Sequence, residues 1–524
     1  MKHLRAAIFA ALFVSNAGQT TQAAAQQVTL ASPDGAIALA GTLLGYDGDF
    51  YRIDTTFGVL TLDAARVDCT GAACPVPGPQ VSRFTLAGAG EMAGALMPPL
   101  IETFARDAGY GIAVTETGPG ERLYRLADRA GSLVAEITLR ASSTEDGIVD
   151  MITEQADMAL ALREVDATER AIARDAGLGD LTGPRQFRVL ARDALVPVVN
   201  AANPVRHIRI PELAEVYAGD LATWSPLGGG DGPITRHLTD PGTGIGAVFA
   251  AQVVAASDLA LSTDLVLHPD ATTLVDAVAT DPAGIGVTTL TRAGAARTLS
   301  LTGDCGLDSA ADPVTVAAGD YPLTLPLYLY LPGRRLPAVA RELLVYLRSA
   351  QAQEVVRAAG FVDHAFAEIP LAEQGARLAN AIRAAGPEVS LADLQRMMPL
   401  FIGRERLSLT FRFREGTTEL DAPSLANVRT LAAALDAGDF AGRKLAFAGF
   451  SDGAGSAAAN LTLSQRRAEA VRAAVLAWAR AVDPASVEIE AEGFGEALPM
   501  ACDDTPWGRQ VNRRVEVWVD QPLQ

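Results

Sequence analysis

Residues 449–471 read GFSDGAGSAAANLTLSQRRAEAV. Asp452 stands in a glycine-rich loop, and Arg467 follows within a stretch of helical pattern. A carboxylate accepts hydrogen bonds from an ammonium group, and a planar guanidinium grips a carboxylate through two parallel hydrogen bonds. Taken without their surroundings, the two residues read as a surface ion pair worth roughly 0–1 kcal/mol. Other reactive patterns are missing from the sequence. It has no Gly-x-Ser-x-Gly, no His/Cys dyad, no Cys-x-x-Cys and no spacing of metal ligands, so no catalytic residue, metal or cofactor is expected and the chain does not read as an enzyme.

The elements that must place the two charges alternate from residue 401 onward. RLSLTFRF, RKLAFAGFSD, SVEIEAEGFGE and NRRVEVWVD read as strands, and SLANVRTLAAALDAG and LSQRRAEAVRAAVLAWARA as helices. This is a compact β-α-β-α-β unit spanning 401–524, in which Val471, Val475 and Trp478 are expected as a buried stripe under Arg467. Residues 82–370 also alternate strands with helices, which implies an α/β architecture with largely parallel sheets. Residues 371–400 read as a helical connector. Residues 26–80 read as a small β module, with turns at Asp34-Gly35 and Asp47-Gly48, the loop CTGAAC and the stiff linker PVPGP. The fold class is thus multidomain, α/β and α+β.

Composition narrows the setting. A net charge of -19 argues against nucleic acid and anionic lipid as general partners. MKHLR, the nine-residue apolar run AAIFAALFV, and small residues at Ala23 and Ala25 read as a secretory signal peptide, residues 1–25, cut after Ala25. Nothing after it reaches transmembrane length, so the mature chain is expected without a membrane span. In an oxidising compartment CTGAAC suggests a Cys69–Cys74 bridge. Cys305 and Cys502 stand as either a second bridge across two domains or two buried thiols.

The motifs F-x-F-x-x-G-T-T-E-L (411–420), G-F-S-D-x-x-G (449–455), N-x-x-L-S-x-x-R-A-x-x-V (460–471), G-F-G-E-x-x-P (493–499) and N-R-R-V-E-V (512–517) resemble the OmpA-like peptidoglycan-binding domain. The resemblance implies that Asp452 receives the ammonium, and Arg467 the carboxylate, of diaminopimelate in the wall's stem peptide. Asn460 matches the family's loop asparagine, and Arg513 and Arg514 its terminal arginines, which order the site or the sheet. Phe450 replaces the family's usual His, and Ser451 a frequent Thr.

TLAGAGEMAGALMPPL (85–100), ADMALALREVDATERA (156–171), DPGTGIGAVF (240–249) and DPAGIGVTTL (281–290) resemble the PstS-like periplasmic phosphate-binding proteins of ABC transporters. That family implies two lobes hinged around a cleft. It implies an oxyanion site formed here by Ala89, Gly90, Ser142, Ser143, Asp157, Arg163, Arg236 and Thr243. Two positions depart from the pattern: Met92 replaces a hydroxyl residue and Pro241 a serine, while Glu91 adds negative charge where an anion would sit. The whole chain then reads as a periplasmic protein associated with the cell wall near the outer membrane. It would capture phosphate or a related oxyanion for an ABC permease. The alternative is an envelope-organising protein whose binding domain takes no solute.

Overall fold

The computed structural model of the chain describes residues 26–46, 48, 50–75, 81–385, 388–414, 417–480 and 487–521. The expected signal peptide and most of the PVPGP linker lie outside the described residues. The chain opens with an antiparallel sheet of β1 (Gln27–Ala31), β2 (Ala38–Tyr46), β3 (Phe50–Thr55), β4 (Gly58–Asp63) and β5 (Asp68–Thr70), ordered β4-β3-β2-β1-β5. Its small core is Val28, Leu30, Tyr51 and Ile53, residues two apart on one face of each strand. Cys69 and Cys74 are bridged just after β5 begins.

The middle of the chain supplies β6 (Ser82–Ala89), β7 (Gly111–Gly118), β8 (Glu121–Ala127), β9 (Leu133–Ser142), β10 (Met158–Ala161), β11 (Phe187–Val199), β12 (His207–Arg209), β13 (Thr235–Thr239), β14 (Val266–His268), β15 (Gly284–Thr289), β16 (Arg297–Thr298), β17 (Ser300–Thr302), β18 (Asp308–Ser309) and β19 (Thr324–Tyr330). One lobe carries β7-β8-β9-β6-β10-β19-β11, and the other β11-β15-β13-β14. β11 belongs to both. Phe187–Ala194 pairs with β19, and Leu195–Val199 pairs with β15. Almost every residue of β11 is buried, as expected of a strand covered on both faces. The helix that follows β6 begins with a π turn, Met92–Leu96, and continues as Met97–Asp107 with Pro98 and Pro99 in its first turn. The π turn, closed by the Met97 N–H on the Met92 carbonyl, carries the helix into its two prolines.

The C-terminal sheet has the order β20-β21-β24-β22-β23, built from β20 (Glu368–Pro370), β21 (Arg404–Arg412), β22 (Lys444–Phe450), β23 (Glu488–Gly493) and β24 (Arg514–Asp520). Alternation along β22 sends Leu445 and Phe447 to a face covered by the helices Ala422–Ala437 and Ala457–Trp478. It sends Ala446, Ala448 and Phe450 to the opposite face, where they meet the helices Gly375–Ala384 and Leu391–Phe401. The stretch expected as a connector, 371–400, is helical, but it is a third layer of this sheet rather than a bare link. Val471 and Val475 are buried as expected, whereas Trp478 is 40% exposed and lies under the Arg429 guanidinium.

The C-terminal unit is bolted to the two-lobed unit. Cys305, in the second lobe, is bridged to Cys502. Asp320 takes two hydrogen bonds from Arg406, at 2.6 and 3.1 Å. Arg192 of β11 donates to Asn427 at 2.6 Å, and Trp507 donates to the Gln252 carbonyl at 3.2 Å. Behind Asp320 lies Glu516, fully buried. Burial opposes its ionisation, but Arg377, Arg406 and Arg514 together hold its carboxyl well below the usual range. Among the described residues no helix is long and apolar enough to cross a membrane.

Candidate functional site

The loop after β22 and the helix Ala457–Trp478 bring Asp452, Asn460 and Arg467 to one end of the C-terminal sheet. Ser456 caps that helix, and Gly455, at a φ of 100°, makes the turn into it. Asp452 is 8% exposed and Arg467 1%, so neither reads as half of a surface pair. Asp452 is instead bonded to Arg513 at 2.7 Å. Arg467 lies 4.9 Å over the Phe413 ring and donates from Nη2 to the Thr417 carbonyl at 3.3 Å. Its Nε and Nη1 are buried with no hydrogen-bond partner. Burial and then Arg513 push its pKa down, and the nearby Asp452 charge offsets part of that.

Ser451 Oγ in the Asp452 loop is also buried without a partner, and Asn460 Nδ2 and Glu496 Oε1 lack a close hydrogen bond although their side chains face each other. Buried polar groups in native proteins are nearly always bonded, so such a concentration calls for a ligand or water. Asp503, not singled out by sequence, accepts from the Gly453 N–H at 2.7 Å and from Asn512 at 2.8 Å. It thereby ties the Asp452 loop to the start of β24. Burial raises the Asp503 carboxyl, and Asp452 adds to the shift. No local pattern marks Asp503, because its partners are 50 and 9 residues away. The Phe450 departure is explained by direction: its ring is fully buried on the other face of the sheet, 4.3 Å from the Arg514 guanidinium. Arg514 itself is fully buried beside Glu516 and orders the sheet.

In the two-lobed unit, Ala89 and Ser142 are register partners at the carboxyl ends of β6 and β9, with Gly90 and Ser143 beside them. Thr243 stands across the cleft at the start of the helix Gly244–Phe249. These five stand at strand and helix ends that face the cleft. Ser143 Oγ caps the next helix by accepting from Asp146 N–H at 2.9 Å. Arg163 lies at the end of β10, held by Glu145 and Glu169 at 2.8 Å each. Two residues expected in the site are not in it. Asp157 precedes β10 and bonds to the Thr85 N–H and to Arg334. That is four residues, or about 13 Å, back along β6 from Ala89. Arg236 sits at the amino end of β13 and donates to the Val216 and Leu221 carbonyls, closing off the end of the helix Ile210–Ala218.

The head of the helix Gly244–Phe249 is met by a side chain from across the cleft. Glu91 reaches across from the first lobe, and its Oε1 accepts from the Ile245 N–H at 3.0 Å. Gly244 is left-handed, with a φ of 52°, and a Cβ there would collide with the Glu91 carboxylate. Glu91 Oε2 is buried without a partner, and burial, then Asp193, raises the carboxyl's pKa. Among the described residues no group of three or more acidic, histidine or cysteine side chains is placed to hold a metal ion.

An ABC-type phosphate transport receptor from Vibrio cholerae superposes with a TM-score of 0.41 at 17% identity, covering 53% of this chain and 99% of the receptor. The peptidoglycan-associated lipoprotein of Burkholderia pseudomallei superposes with a TM-score of 0.19 at 26% identity, covering 21% of this chain and 88% of the lipoprotein. Outer membrane porin F of Pseudomonas aeruginosa is 32% identical over 118 residues, 22% of this chain; the match spans only 31% of the porin. The OmpA family profile matches residues 412–513, and the PBP superfamily domain matches residues 75–356, more than half of the chain. The chain therefore belongs to the PBP superfamily and carries a C-terminal OmpA domain.

Proposed function

We propose that this protein is a cell-wall tether of the periplasm whose binding-protein domain is held shut by its own carboxylate. The C-terminal pocket takes the zwitterionic end of a diaminopimelate stem peptide. The ligand ammonium goes to Asp452, with Asn460 and Arg513 ordering the loop, and the ligand carboxylate goes to Arg467. The observation that carries this reading is the Arg467 guanidinium, 1% exposed with two nitrogen donors unpartnered. A buried unpaired donor costs about 1–3 kcal/mol, and a carboxylate accepting from Nε or Nη1 would remove that cost at the nitrogen it reaches. Arg467 Nη2 already donates to the Thr417 carbonyl at 3.3 Å, a long contact that the ligand carboxylate would supplement or replace.

Co-sedimentation of the full chain with purified peptidoglycan sacculi tests the reading. Wild type pellets with the wall, while Asp452→Ala and Arg467→Ala remain in the supernatant with unchanged circular dichroism. Pelleting of both variants like wild type would show the site to be elsewhere.

A second reading, phosphate or related oxyanion capture for an ABC permease, draws on one feature. Glu91 fills the anion position imperfectly, since its Oε2 has no donor. Equilibrium dialysis with labelled phosphate separates the two. The closed domain binds none at micromolar concentration, and Glu91→Thr, which vacates the position, gains at least tenfold. Micromolar binding by wild type would favour the second reading.

A further inference from the structure

A larger cavity, about 780 Å³, opens between the two-lobed unit and the C-terminal unit, away from both sites above. Its volume falls within the range of small-molecule sites. Arg188 comes from β11, Arg348 from the turn after the helix Ala338–Tyr346, and Arg429 from the helix Ala422–Ala437. None of the three makes a salt bridge with any described residue, in a chain with a net charge of -19. Arg357 also lines the cavity but is paired with Asp363, His364 is bonded to the Val189 carbonyl, and Asp439 is the one carboxylate on the described wall.

The three cations have no acidic partner among the described residues yet lie close enough to repel one another. Arg188 is bonded only to the Phe187 and Pro184 carbonyls, and its Nε is buried without a partner. Its pKa is pushed down to about 10 by burial and by Arg348 and Arg429. Arg429 donates to the Pro184 carbonyl and lies over the rings of Phe187 and Trp478. Between the guanidinium groups the wall is apolar, with Val189, Leu190 and Leu347 buried and Leu344 half-buried. Like charges gathered beside an apolar floor are unfavourable unless an anion with an apolar body joins them.

We propose that this cavity binds an amphipathic anion, its phosphate or carboxylate headgroup among Arg188, Arg348 and Arg429 and its hydrocarbon along Leu190, Leu344 and Leu347. The site joins the two units and is independent of the peptidoglycan reading. Isothermal titration of the full chain with octyl phosphate, octanoate, 1-octanol and inorganic phosphate tests it. Octyl phosphate or octanoate binds one per chain, and whichever is tighter tells a phosphate-headed lipid from a fatty acid. Arg348→Glu, at an exposed residue, weakens that binding at least tenfold, and Arg429→Gln weakens it severalfold, each with the melting temperature followed as a folding check. Inorganic phosphate and 1-octanol each bind at least tenfold more weakly than the amphiphile. The proposal is overturned if both folded variants bind like wild type, or if 1-octanol or inorganic phosphate binds as tightly as the octyl anions.

Discussion

The interlobe cleft and the C-terminal pocket face the same physical problem and resolve it oppositely. In the cleft, a helix-start N–H finds its anion within the chain, Glu91 on Ile245. In the pocket, a buried guanidinium finds one carbonyl at 3.3 Å and leaves two nitrogens bare. A position already filled by a tethered group pays no translational entropy, so a free ligand must displace it to enter. A position left bare carries a standing cost that a ligand relieves. Under the proposed function, the difference separates a part of the molecule that stays closed from a part that takes a ligand.

The bridge between the two is the first place to break the comparison. Cys305 and Cys502 are 197 residues apart. Replacing both with serine releases a loop of that length, which in the chain-entropy view removes about 5 kcal/mol of stability. Guanidinium melts under non-reducing conditions read that loss. Because Cys502 adjoins Asp503, which holds the Gly453 N–H, the folded variant should also bind sacculi severalfold more weakly. Unchanged sacculus binding would mean that the pocket stands independently of the cleft.

A smaller effect sharpens the contrast from the pocket side. Arg467→Met removes the bare donors while keeping most of the buried volume. Sacculus affinity should fall about a hundredfold, the ~3 kcal/mol typical of truncating one partner of a buried charged contact. The melting temperature should hold or rise, because an uncompensated buried charge is gone. A fall in melting temperature would mean that Arg467 is a structural cation like Arg514.

The smallest effect belongs to the cleft. Burial raises the folded-state pKa of Glu91, so the folded chain binds the proton more tightly than the unfolded chain. Stability from this group is therefore highest at low pH and declines as pH rises from the unfolded value through the raised folded value. Glu91→Gln keeps an acceptor for Ile245 and removes the titration. It should melt about 2 °C above wild type at pH 7.5, with the gap closing by pH 4. A gap independent of pH would mean that the Glu91 carboxyl is not desolvated in the cleft.

Much of this was readable along the chain. Strand and helix periods marked β22 and the helix around Arg467, because each buries a face whose spacing is local. A shared role for Asp452 and Arg467 came from the resemblance to the OmpA-like domain; by spacing alone they read as a surface pair, which their burial overturns. The cleft was read less well. Asp157 and Arg236 matched the pattern of a binding site, yet one lies about 13 Å back along a strand and the other closes a helix end. Strand register and side-chain direction decide such placements, and single residues do not announce them.

The sequence by itself determined the order of units, the alternation that builds their sheets, and the charges available to the C-terminal pocket, since these rest on spacings within about twenty residues. Tertiary structure alone decided that Glu91 would cross the cleft to Ile245 and that Cys305 would meet Cys502. It also decided that helices from 371–401 would cover a second sheet face and that three arginines would share a cavity. The reason is physical: those contacts join residues a hundred or more positions apart, or depend on which face of a sheet a neighbour covers. Both follow from how whole layers pack rather than from any local preference of the chain.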